Sequence, residues 1–87
     1  MVYLLIVYDV SVERVNKVHK YLKTYLHWQQ NSVFEGEVSS SQYQRMMSEL
    51  FDLIDPDVDS VMIYEFPEKY LQKTILGIEK NPIDFIL

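Results

Sequence analysis

Two amphipathic stretches separated by strand material, and an apolar first segment that stops at Asp9, predict an α+β domain. The order of elements is β-α-β(β)-α-β. It matches the ferredoxin-like βαββαβ plan, here with an extra C-terminal strand. In that plan both helices pack on one face of an antiparallel sheet and the other face is open. A chain of 87 residues allows one domain, spanning 1–87.

Val2 to Tyr8 is short, β-branched and aromatic, and reads as a strand. Val2, Leu4, Ile6 and Tyr8 form one parity, and Tyr3, Leu5, Val7 and Asp9 the other. A half-exposed strand would place polar residues on one parity. This one is therefore expected to be central and covered on both sides. Ser11 to about Leu26 reads as a helix, with Val12, Val15, Val18, Leu22, Tyr25 and Leu26 as its apolar stripe. Ser11 is its expected N-cap, with Arg14, Lys17 and Tyr21 on an outer flank. Trp28 to Val38 is extended, either as a hairpin broken near Asn31-Ser32 or as one long bent strand. Ser41 and Gln44 have capping-box spacing and predict the start of a second helix, which Asp55-Pro56 ends. Its expected inner face is Tyr43, Met46, Met47, Leu50, Leu53 and Ile54. Ser60 to Phe66 is a further strand, and Thr74 to Ile78 reads as a short extra one. Asn81-Pro82 then turns the chain into the apolar tail Ile83–Leu87. Covering the second apolar face of the first strand is expected to take a second copy, so a homodimer is predicted.

Composition narrows the function classes. Apolar residues make up 48% of the chain, which places it among folded domains. The absence of cysteine excludes a disulfide framework, thiolate zinc sites and cysteine catalysis, and suits a reducing cytoplasm. No Lys or Arg precedes the apolar run at Val2 and Asp9 ends it, so no secretory signal is read there. No run approaches the roughly 20 residues of a membrane span. Two glycines are too few for a Walker or dinucleotide phosphate loop. The net charge of −5 is unevenly spread: residues 11–27 carry a local +3 from Arg14, Lys17, Lys20 and Lys23 against Glu13, and the remainder carries −8. Such a strip can meet a polyanion while the rest keeps the protein soluble, although a Lys-rich helix by itself reads first as a solvated face.

Asp9 is the most pointed candidate. It ends a buried strand, where functional groups often sit, and it can also serve simply to cap the strand-to-helix turn. One carboxylate holds a divalent cation poorly. Two brought together by a two-fold axis could hold Mg²⁺ or Mn²⁺ with waters completing the shell. Asp55-Pro56-Asp57-Val58-Asp59 begins like a calcium loop, but Ser60 and Phe66 stand where Gly and Glu are needed, so it reads as a solvated acidic turn. His19 and His27, eight apart on the first helix, form no metal motif and read as partly buried or surface histidines. No serine-hydrolase elbow surrounds any serine. Arg14 and Lys17, one turn apart beyond Asp9, are the candidates for phosphate contact.

Tyr8-Asp9-Val10 at the end of the first strand, Asn31-Ser32-Val33-Phe34-Glu35-Gly36 after the first helix, and Leu76-Gly77-Ile78 near the end carry a resemblance. Their order and spacing resemble the small CRISPR-associated adaptation protein family, the second of the Cas series and the non-integrase partner of the spacer-acquisition integrase. The similarity spans nearly the whole chain. It implies a ferredoxin-like protomer and a homodimer whose C-terminal strands extend the partner's sheet. It also implies Mg²⁺ or Mn²⁺ held between two copies of Asp9, with endoribonuclease or endodeoxyribonuclease activity on single-stranded RNA or duplex DNA. Asp9 matches the family's metal-binding, catalytic aspartate. Ser32 and Phe34 match its S-V-F segment, with Tyr8 beside them as further support, and Arg14 and Lys17 fall near the basic positions of its first helix. Trp28 stands where some members carry an arginine before that segment. The alternative to a nuclease is a structural adaptor that lays duplex DNA along Arg14 and Lys17 and bridges integrase subunits. An RNA-binding ferredoxin-fold domain fits less well, because Val33-Phe34-Glu35-Gly36-Glu37 is acidic where such domains carry a basic residue.

Overall fold

The computed structural model of the chain describes residues 1–67, 72–78 and 80. Its elements are β1 (Val2–Asp9), α1 (Val12–Lys23), β2 (His27–Gln30), β3 (Val33–Val38), α2 (Ser40–Leu53) and β4 (Ser60–Phe66). The sheet runs β2-β3-β1-β4 with every neighbour antiparallel, which is the ferredoxin-like arrangement. β1 is central, as its two apolar parities require.

Parity decides which side chains meet the helices. Leu4, Ile6 and Tyr8 of β1 face them together with Phe34 and Val38 of β3, and all five are buried. Val18 and Leu22 of α1 and Met46 and Leu50 of α2 close the core from above. Gly36 lies opposite Leu4 on this same side, and a Cβ there would come within 3.1 Å of Leu26 Cδ2. Its missing side chain lets the α1–β2 corner settle against β3. The other parity forms the open face. Leu5 pairs across to Glu35 and Tyr64, and Val7 to Val33 and Met62. Met62 and Tyr64 are about half exposed there, at 49% and 47%.

Trp28 to Val38 is a hairpin. Asn31 takes φ 44° in its two-residue turn, a conformation that asparagine tolerates better than most residues. The Trp28 indole N–H donates to the Asn31 carbonyl at 2.9 Å, and the Tyr8 amide donates to the Ser32 carbonyl at 3.1 Å, tying the turn to the end of β1.

Several local expectations shift. α1 is shorter than the predicted span. Thr24 Oγ1 donates to the Tyr21 carbonyl at 2.7 Å at its C-terminus, and Tyr25 and Leu26 continue only as a turn. Val12 is exposed rather than part of the apolar stripe, and His27 opens β2 instead of lying on the helix. The capping box of α2 is Ser39 with Gln42, two residues before the predicted pair but with the same spacing. Met47 is half exposed, while Met46 and Leu50 are buried and Tyr43, Leu53 and Ile54 pack against the core beside them.

Thr74–Ile78, predicted as a strand, pairs with no strand among the described residues. Leu76 and Ile78 stand in solvent, and a strand needs an edge that this segment does not reach within one copy of the chain. The tail expected at Ile83–Leu87 lies outside the described residues.

Candidate active site

Asp9 is the last residue of β1, exposed on the open face and opposite Ser60 of β4. Period-two alternation puts it on the parity of Tyr3, Leu5 and Val7. The adjacent Tyr8 therefore points the other way. Its ring is buried, its hydroxyl lies 3.4 Å from His19 Nδ1, and it stacks 6.1 Å from Phe34. His19 in turn packs edge-on against Phe34 and Trp28, so it is the partly buried histidine that its lack of any motif suggested. Tyr8 and Phe34 thus lie across the sheet from Asp9 and touch nothing on its side. Their support is the rigidity of the strand that carries it. Ser32 is closer to the end of β1, through its carbonyl.

The basic residues divide. Arg14 is not on the outer flank of α1. It shares a row, at steps of four, with the buried Val18 and Leu22. Its Nε donates to Asp59 Oδ2 at 2.6 Å and its Nη2 to Asp59 Oδ1 at 3.0 Å, a bidentate fork. The expectation of Arg14 as a freely presented phosphate contact is corrected to this extent: its Nε and Nη2 are committed to Asp59 inside the protein, while its Nη1 reaches the exposed Glu13 at 3.4 Å. Lys17, Lys20 and Lys23 are exposed on the same helix and make no ion pair among the described residues.

Asp59 corrects a second expectation. The acidic turn is not wholly solvated, because the Asp59 side chain is fully buried. Besides the Arg14 fork it accepts from the Ser11 amide at 3.0 Å, the Ser11 hydroxyl at 3.1 Å and the Asp55 amide at 2.9 Å. Ser11 sits at the N-cap position as predicted, yet its hydroxyl goes to Asp59 instead of capping the helix. Only the arginine's half of this pair was signalled in the sequence. An arginine in register with Val18 and Leu22 faces inward and requires a buried acid. Hydrogen bonding from Arg14 holds the Asp59 carboxyl well below the usual carboxylate range. Burial opposes this, and the amides of Asp55 and Ser11 reinforce it.

A second buried carboxylate, Glu35, lies on the open face. Lys73 Nζ donates to it and, at 2.7 Å, to Gln29 Oε1, drawing the chain after β4 across the β2–β3 side of the sheet. Burial and the neighbouring Glu35 push the Tyr3 hydroxyl up to about 12.

No group of three or more His, Asp or Glu able to hold a metal ion occurs among the described residues. Among the described residues one copy gathers no such cluster around the Asp9 carboxylate. The donor set fits Mg²⁺ or Mn²⁺ only if a second copy brings another Asp9, which leaves room for the waters such ions keep.

The sequence model of the family described as "CRISPR associated protein Cas2" matches residues 1–74. The chain belongs to this family. A Cas2 of Methanothermobacter thermautotrophicus, named a CRISPR-associated endoribonuclease, is 59% identical over 87 residues, covering 99% of this chain and 96% of that protein. One of Methanocaldococcus jannaschii with the same name is 52% identical over 86 residues, covering 98% of this chain and 75% of that protein. A solved structure titled "Crystal structure of cas2" superposes with a TM-score of 0.83 at 49% identity, covering 99% of this chain and 98% of that one. Streptococcus pyogenes Cas2 superposes with a TM-score of 0.71 at 28% identity, covering 86% and 99%. Among the described residues no helix is long and apolar enough to cross a membrane.

Because the folded-state pKa of Asp59 is depressed, its stabilising effect is complete above the unfolded value near 3.9 and is lost as pH falls toward the folded value. Wild type should therefore lose thermal stability steadily below about pH 4. Asp59→Asn should start lower at pH 7 and fall less steeply through that window, which melting curves between pH 2 and 7 would show.

Proposed function

We propose that the chain is a metal-dependent endonuclease of CRISPR adaptation, acting as a homodimer that holds Mg²⁺ or Mn²⁺ between two Asp9 carboxylates. What supports this most directly is the placement of Asp9. It is the exposed acid at the end of a central strand whose preceding open-face residues, Val7 and Leu5, are apolar. The relatives are named endoribonucleases, which favours single-stranded RNA as the substrate, with duplex DNA as the alternative. The apolar open face around Val7, Met62 and Tyr64 is the surface a second copy would cover, and contact there would bring two strand ends together.

A bound divalent ion supplies Lewis acidity toward a phosphodiester. The chain's own part is to hold that ion through Asp9 and to draw the phosphate backbone toward Lys17 and its neighbours on α1. Among the described residues no second titratable group hydrogen-bonds to Asp9, so none of them stands beside it as a general base and hydrolysis is expected to be slow.

A second reading rests on the exposed strip Lys17, Lys20 and Lys23. In it the dimer is an adaptor that lays duplex DNA along α1 and bridges integrase subunits. The two readings separate at Asp9.

Labelled single-stranded RNA and duplex DNA incubated with Mg²⁺, Mn²⁺ or EDTA should be cleaved by wild type only with metal. Asp9→Ala, still folded, should abolish cleavage. Equal cleavage by both proteins would refute the nuclease reading. For nucleic-acid binding measured over a salt series, Lys17→Ala should reduce the slope of log K against log salt by about 1. An unchanged slope would remove Lys17 from the contact surface.

A further inference from the structure

We propose that the Arg14–Asp59 pair is a positioning device for Asp9, setting where its carboxylate stands on the open face. The inference rests on the reading of Asp9 as the metal-holding residue. Asp59 gathers three segments on one carboxylate: Arg14 of α1, Ser11 of the β1–α1 link and Asp55 of the turn after α2. Asp9 is bracketed by this node from two directions. Along the chain, only Val10 separates it from Ser11, whose amide and hydroxyl both donate to Asp59. Across the sheet, Asp9 pairs with Ser60, the residue after Asp59. The node therefore fixes both the strand end that carries Asp9 and the strand end beside it.

Two observations set this apart from ordinary stabilisation. A buried ion pair is a poor way to stabilise a small core, since apolar residues of similar volume do as well or better. And α1 forgoes a side-chain cap, because the Ser11 hydroxyl that could supply it is turned to Asp59. Neither feature adds stability beyond what a well-packed apolar pair and a capping serine would give, and both stand at a place where geometry matters. Residues that orient a metal-binding side chain typically change metal affinity or activity 10–100-fold when replaced.

The test is a Mn²⁺ titration followed by the EPR signal of the free ion, at a temperature where each variant is folded by circular dichroism. The variants are Asp59→Asn, the apolar double replacement Arg14→Met with Asp59→Leu, and Asp9→Asn. The expected result is a rise of about 10–100-fold in the half-saturating Mn²⁺ concentration for the first two, with Asp9→Asn losing binding altogether. A merely structural role would lower the melting temperature and leave that concentration where it was. Wild-type Mn²⁺ affinity in the folded double variant overturns the proposal while the reading of Asp9 stands. Wild-type affinity in Asp9→Asn overturns that reading and the proposal with it, without reference to Asp59. If neither Asp59 variant folds, Ser11→Ala keeps the ion pair and loses one of the two Ser11 contacts. It should raise the half-saturating concentration several-fold with faster hydrogen exchange at the Ser11 amide. No change in either quantity overturns the proposal.

Discussion

A strand in the middle of a sheet has two faces, and the helices among the described residues cover only one of them. β1 lies between β3 and β4 with Leu4, Ile6 and Tyr8 sealed beneath α1 and α2. Tyr3, Leu5, Val7 and Asp9 are left on the other side. Most of the structure follows from that asymmetry. The apolar residues of the open face call for cover, and the acid at the end of the same row stands where the cover would meet it. Tyr8 and Asp9, adjacent in sequence, take opposite roles because consecutive strand residues face opposite ways.

The charges are arranged with equal economy. The arginine of α1 that faces inward is matched by Asp59, and the lysines that face outward are left to solvent. Glu35, the acid that the open face buries, is met by Lys73 from the chain after β4. Hence the net charge describes the protein badly. The exposed cationic strip on α1 and the acidic remainder are separate surfaces, and only the first suits a polyanion.

The fold was legible because its periodicities are strong. Short β-branched and aromatic runs marked β1 and β4, spacings of three and four marked both helices, and the double-sided apolarity of β1 placed it centrally. The ends of elements were less legible. Three consecutive serines at the start of α2 left the capping register open, and Thr24 stopped α1 short of Leu26. At the site, Asp9 was visible from its position alone. Asp59 was hidden by distance, since its partners Ser11 and Arg14 lie more than forty residues away and only the folded chain brings them together. Reading Asp55 to Asp59 as a solvated turn missed that its last member sits under an inward-facing arginine. The extra strand at Thr74–Ile78 depended on an edge that one copy of the chain does not bring to it. Phe34 and Tyr8 were singled out by motif, and packing explains why those residue types stand there.

The central claim is that the functional unit is two chains sharing one ion. The measurement that tests it most directly is the stoichiometry of Mn²⁺ binding, read together with the mass of the protein by sedimentation equilibrium under the same conditions. The account predicts a dimer that saturates at one tightly bound ion for every two chains. Saturation at one ion per chain, or tight binding by a monomer, would contradict it.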